Sequence, residues 1–225
     1  MSKRYLLLPL ITIFVMAFGY TLVRGDETAF IPLFNGKDLK GWMGATDQYR
    51  VENGLIVLPK GRGGKLLTEK EFDNFILKFE FRLTPGANNG LAIRAPMKGD
   101  AAYNAIELQI LDNSSDRWPN LKPYQTHGSI YGVVPAKRGF LKPVGEWNNQ
   151  EVRCDGTHIE VILNGHSILN ADLDQVVASG QTVDGQPHPG LKNKKGHLGF
   201  LGHGDRVAFR NIRIHPLEPT QSNKE

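Results

Sequence analysis

Cysteine is nearly absent. Cys154 is the single one among 225 residues, so no disulfide can form within the chain. It alternates with Val152 in a strand-like run, a position that predicts a buried, inert thiol rather than a nucleophile. Helical periodicity is also scarce, and only ADLDQVVASG (171–180) has room for a short helix or a turn. No internal repeat or low-complexity segment occurs. Basic runs suited to nucleic acid are missing too, because Lys192, Lys194 and Lys195 read as a solvated loop. Long apolar runs are confined to residues 5–23.

That run follows Lys3 and Arg4 and leads into Arg24, Gly25, Asp26 and Glu27. A positive start, an apolar stretch and small residues before a polar region predict a secretory signal peptide, cleaved after Gly25. The alternative is a membrane anchor over residues 5–23, which Pro9, Gly19 and Tyr20 weaken. No cysteine lies near the cleavage point to carry a lipid. Lys3, Arg4 and Arg24 leave with the leader, so 24 of the 27 basic residues remain against 23 acidic ones. The basic balance is therefore an export feature, and a periplasmic or secreted protein is expected. The remainder suits one domain (26–215) with a polar tail (216–225).

Short alternating runs bounded by Gly, Pro, Asn and Asp recur throughout, which is an all-β signature. Asp155-Gly156 and Asn164-Gly165 are strong hairpin turns and predict a three-strand meander. Further runs lie at 49–51, 55–58, 75–83, 90–95, 105–111, 128–134, 196–202 and 207–214. So many strands in so short a chain predict two sheets packed face to face, a jelly-roll sandwich. GRGGK (61–65) lacks the spacing of a phosphate loop and reads as a turn.

Side chains alternate across a strand. With Ile106, Leu108 and Ile110 inward, Glu107 and Gln109 share the open face, and Arg94 joins them from the neighbouring run. The same logic groups His127, Ser129 and Tyr131, and separately His197, Leu201 and His203. Convergence of such groups on strand centres points to a sugar-binding face. Trp118 and Tyr124 are candidates for stacking on a sugar ring, Trp118 because it sits in a loop after the Glu107 strand. Trp42 and Trp147 are expected in the core.

Several segments together resemble the 3-keto-disaccharide hydrolase domain family. They are LFNGKDLKGW (33–42), VENGLIV (51–57), LLTEKEFDNFILKFEFRL (66–83), NNGLAIRAP (88–96), IELQILD (106–112), IYGVVP (130–135), GEWNNQEV (145–152), LNG (163–165) and LGHGDRVAFRNIRI (201–214). The resemblance implies a concanavalin A-like lectin or glucanase type of jelly roll, extracytoplasmic placement and action on sugars oxidised at carbon 3. It carries polar site positions onto Arg94, Glu107, Gln109, His203 and the region of Tyr131. Leu201, where a polar residue is expected, and the loop 183–195 depart from the pattern.

A ketone at carbon 3 acidifies the proton on carbon 2, which makes elimination of the carbon-1 substituent feasible. That chemistry needs a base (Glu107 or His127), an enolate stabiliser (Arg94, alone or with a metal) and an acid (His203 or Tyr131). Gln109, Ser129, Trp118 and Tyr124 would bind substrate. No cofactor is implied beyond a divalent metal ion, for which Glu107, Asp112, Asp116 and His127 offer ligands without diagnostic spacing. Partner enzymes would be a 3-dehydrogenase and a hydratase. One rival is a retaining glycosidase pairing Glu107 with Asp112, although alternation separates the two unless a bulge intervenes. The other is a carbohydrate-binding module that lacks a base.

Overall fold

Alternating apolar and polar residues, interrupted every few positions by turn formers, produce thirteen strands in the computed structural model, which describes residues 30–180 and 182–218. The leader, the alternative anchor and residues 219–225 of the tail lie outside the described residues. In chain order the strands are β1 (Ile31–Pro32), β2 (Trp42–Gly44), β3 (Arg50–Glu52), β4 (Leu55–Leu58), β5 (Gly63–Phe72), β6 (Phe75–Leu83) and β7 (Asn88–Ala95). After a short helix α1 (Ala101–Asn104) come β8 (Ile106–Leu111), β9 (Asn148–Asp155), β10 (His158–Leu163) and β11 (His166–Asp172). Helix α2 (Leu173–Ser179), β12 (Gly196–His203) and β13 (Val207–Pro216) complete the order.

Two antiparallel sheets face each other. One runs β11-β10-β9-β6-β13-β4-β3 with β1 added against β13, and the other runs β2-β5-β12-β7-β8. The meander β9-β10-β11 forms on the expected turns, where Gly156, Asn164 and Gly165 all take positive φ. Between the sheets lies an aromatic-rich core: Phe200 stacks on Phe209 at 3.7 Å, and Phe79 packs edge-on against Phe200 at 5.7 Å. Trp42 closes one end of it, its indole N–H donating to the Leu33 carbonyl at 2.9 Å. Cys154 is fully buried and its thiol is pushed up to about 11 by burial, as befits an inert packing residue. Among the described residues no helix is long and apolar enough to cross a membrane.

Four sequence expectations change. GRGGK is a turn only at its start, and Gly63 already opens β5. The run 128–134 makes single bridges at Ile130 and then curls, because Gly128 and Gly132 both sit at positive φ. Trp147 is outside the core, held between the guanidinium groups of Arg82 at 4.7 Å and Arg210 at 4.0 Å. The tail begins one residue late, since Pro216 pairs with Phe75 as the last residue of β13. The segment 171–180 does form a helix, α2, which ends at Gly180 in the left-handed conformation.

Candidate active site

The outer face of the five-stranded sheet carries the chemistry, and the strand register says which side chains meet there. Lys65, Leu201, Gly90 and Gln109 form one cross-strand row on β5, β12, β7 and β8. Leu67, Gly199, Ala92 and Glu107 form the next. Gly90 in the first row, and Gly199 and Ala92 in the second, leave a hollow. Into it folds the carboxylate of Glu107, lying over Gly90 where a Cβ would overlap its Oε1. Leu201 and Ala101 give the hollow an apolar floor, clustered with the buried Leu67 and Ala92. The departure from a polar residue at Leu201 thus supplies a surface fit for the C–H face of a ring.

Glu107 is 5% exposed, an unusual place for a carboxylate. His203 Nε2 lies 3.9 Å from its Oε1, an ion-pair distance beyond a hydrogen bond. The Glu107 carboxylate holds the His203 pKa above its ordinary value, outweighing partial burial, with Asp100 and Asp205 adding to the effect. A cavity of about 420 Å³ opens here, lined by Lys65, Asn88, Tyr103, Glu107, Gln109, Tyr131 and His203 among others. Gln109 donates to the Asn88 Oδ1 at 3.0 Å. Both, with Tyr131, also line an adjoining hollow of about 290 Å³ that includes Arg117, Trp118 and Gln125.

The structure thus brings Glu107, Gln109, Tyr131 and His203 together and puts Trp118 next door. Tyr124 lines neither hollow and packs edge-on against Tyr131 at 6.0 Å, so it supports that ring. Arg94 is a correction. Two residues of β7, Ile93 and Arg94, stand opposite the one residue Leu198 of β12, a bulge that puts Arg94 at φ 51°. Its side chain consequently turns away from the hollow, donating to the Asp73 carbonyl at 2.9 and 3.1 Å, Asn74 Oδ1 at 3.2 Å and the Asn193 carbonyl at 3.3 Å. His127 is a second correction. It stacks on Phe81 at 4.9 Å inside the sandwich, and burial lowers its pKa to about 4, against a smaller opposing effect from Gln150. Ser129 is fully buried as well, and its hydroxyl holds the turn by accepting from Ala136 N at 3.0 Å. His197 bonds to the Thr68 carbonyl at 2.9 Å and does not line the hollow.

Asp112 serves a loop, accepting from Gly86 N at 2.8 Å and the Ser114 hydroxyl at 2.6 Å. It therefore gives Glu107 no second carboxylate of the retaining-glycosidase kind. Asp116 is exposed. Glu107, Asp112, Asp116 and His127 do not converge, and among the described residues no group of three His, Cys, Asp or Glu side chains is arranged to hold a metal ion. The expected ligand set does not fit.

Several lining residues escaped sequence reading, among them Asn88, Lys65 and Tyr103. Asn88 was within reach, since it lies two positions before Gly90 on the same face of β7. Lys65 was hidden by reading 61–65 wholly as a turn. Tyr103 comes from α1, too short for a periodicity signal, and is braced by His188 at 5.0 Å between ring centroids. His188 in turn pairs with Asp184 at 3.1 Å, under Gly132, where a Cβ would collide with both.

Residues 29–215 match the model of the 3-keto-alpha-glucoside-1,2-lyase-like domain. The chain belongs to that family. A curated 3-keto-disaccharide hydrolase of Bacteroides thetaiotaomicron is 29% identical over 86% of this chain and 80% of its own length. A crystal structure from Parabacteroides distasonis, of a protein proposed to be a glycosyl hydrolase, is 32% identical and superposes with a TM-score of 0.75 over 84% of this chain and 99% of that one. A Bacillus subtilis protein with a galectin-like fold, 15% identical over 83% of this chain and 94% of its own at a TM-score of 0.57, shares the fold alone. Family membership and these relatives make the chain a carbohydrate-active hydrolase of the lectin-like sandwich class.

Proposed function

We propose that the protein cleaves 3-keto-glycosides by removing the proton on carbon 2. The observation that carries this reading is the Glu107 carboxylate, buried over Gly90 and 3.9 Å from His203. A carboxylate kept out of water, beside an imidazole whose pKa it raises, is a base and an acid placed together. Glu107 takes the carbon-2 proton, and the released electron pair becomes the carbon 2–carbon 3 double bond of an enolate. When the ketone re-forms, the double bond moves to carbons 1 and 2 and the carbon 1–oxygen bond breaks. His203 gives the leaving oxygen its proton, and Tyr131, which lines the same hollow, is the second candidate for that duty. Glu107 has gained one proton and His203 has lost one, so a proton returning between them through solvent resets the site. Water added to the double bond, here or by a partner hydratase, completes net hydrolysis. A partner 3-dehydrogenase would supply the keto-sugar.

Asn88 and Gln109 supply hydrogen bonds to sugar hydroxyls, and Trp118 in the adjoining hollow offers a face to the leaving group. The leader at 1–25 supports action outside the cytoplasm. The test is incubation with 3-keto-glucosides and their unoxidised parents, with products followed by mass spectrometry. Release of the leaving group from only the keto forms is expected. The rate should fall as pH rises through the raised pKa of His203, because the acid form is lost. Cleavage of unoxidised sugars would overturn the reading, and binding without cleavage would make this a carbohydrate-binding module.

A further inference from the structure

The enolate needs a donor at its oxygen, and Arg94 is tied down behind the bulge. We propose that Lys65 holds the carbon-3 oxygen of the substrate and stabilises the enolate formed there, an inference that rests on the keto-sugar reading above. Lys65 stands on β5 opposite Leu201, whose other neighbour is Gly90, the residue beneath the Glu107 carboxylate. Two strand spacings, roughly 10 Å, separate the backbones of Lys65 and Gly90. The apolar side chain of Leu201 lies between them, so a ring resting on it with carbons 2 and 3 over the gap meets the base at carbon 2 and the ammonium at the neighbouring carbon-3 oxygen.

Lys65 is also prepared for the task. Its Nζ donates to the Gly99 carbonyl at 2.8 Å and the Met97 carbonyl at 3.2 Å. An ammonium has three N–H donors, so these bonds fix its position and leave one for a ligand. Both partners are neutral, and Lys65 has no carboxylate partner among the described residues. The other cations at the site are matched, Arg117 by Asp205 at 2.6 Å and His203 by Glu107. An ammonium fixed in place without a direct ion-pair partner is what a developing oxyanion requires.

As the enolate forms, the π pair of the ketone moves onto the carbon-3 oxygen, which accepts an N–H of Lys65. When the ketone re-forms, the pair returns and the hydrogen bond weakens. Lys65 keeps its proton throughout, so no further reactant is needed.

The test replaces the ammonium and then restores it chemically. Lys65→Met should lower kcat on a 3-keto-glucoside by roughly 10²–10³-fold, the usual cost of one oxyanion donor, with a smaller change in KM. Lys65→Cys should be as slow and should recover on treatment with 2-bromoethylamine, which rebuilds an amine of nearly the same reach. Cys154, fully buried with its thiol pushed up to about 11, leaves position 65 as the reactive thiol. The comparison before and after alkylation uses one folded protein, so it holds even where Lys65→Met folds poorly. Activity within a few-fold of wild type in Lys65→Met, or no recovery after complete alkylation, would overturn the role of Lys65 alone. Wild type inert toward every keto-glycoside would remove the keto-sugar reading and this inference with it.

Discussion

The eight-stranded sheet and the hollow on the five-stranded sheet treat charge differently. On the eight-stranded sheet, charges cancel across neighbouring strands, where Arg210 meets Glu80 at 2.7 Å and Lys78 meets Glu151 at 3.6 Å, and at its end, where Arg206 just before β13 meets Glu52 of β3 at 2.9 Å. Trp147 there lies flat between two arginines. On the five-stranded sheet, polar groups stand over glycine, alanine and leucine, and Lys65 is held by carbonyls alone. Local cancellation makes a surface that is stable and chemically idle. An ammonium without an ion-pair partner, and a carboxylate buried in a shallow hollow, are costly to maintain and ready to act on a ligand.

Substitutions should divide along the same line. The largest effect belongs to Glu107→Gln, which should lower turnover of a keto-glycoside by roughly 10²–10⁴-fold, the range for a general base. Its melting temperature should hold or rise, since a buried charge is removed. Next is His127, whose effect is on stability rather than catalysis. Its folded pKa of about 4 lies below the ordinary 6.5, so between those values the unfolded chain binds the extra proton. Stability is then fully present above pH 6.5 and falls as pH drops toward 4, by roughly 3 kcal/mol. Urea titrations at both ends of that window measure it, and His127→Phe should flatten the difference. Gly90→Ala should push the Glu107 carboxylate off its seat and cost on the order of 100-fold in kcat, as a displacement of about 1 Å can, with secondary structure by circular dichroism unchanged. Lys78→Ala on the opposite face should cost less than about 1 kcal/mol and leave activity alone. A large activity loss there would break the contrast.

Most of the fold was legible because turn chemistry and alternation are local. Asn164-Gly165 and the run 75–83 announce themselves within a few residues. The site was legible only where alternation runs unbroken, as from Glu107 to Gln109. At Arg94 one extra residue in the strand reverses the inference, and the bulge depends on how β7 meets β12, some hundred residues further along the chain. His127 failed for a related reason: Gly128 turns the chain immediately after it, and the ring enters the core against Phe81.

Strand β8, which carries Glu107 and Gln109, is the last strand of its sheet, and its outer rim is closed by a curl of chain. Tyr131 N donates to the Glu107 carbonyl at 2.9 Å, Gly128 N to that of Gln109 at 2.8 Å, and Gln109 N to that of Ser129 at 3.0 Å. The failure of residues 128–134 to become a full strand therefore has a use. The curl occupies the hydrogen-bonding groups through which a second molecule could dock edge to edge, yet adds no flat new rim of its own. Proteolytic nicking within this curl would uncover the rim and should promote edge-to-edge self-association.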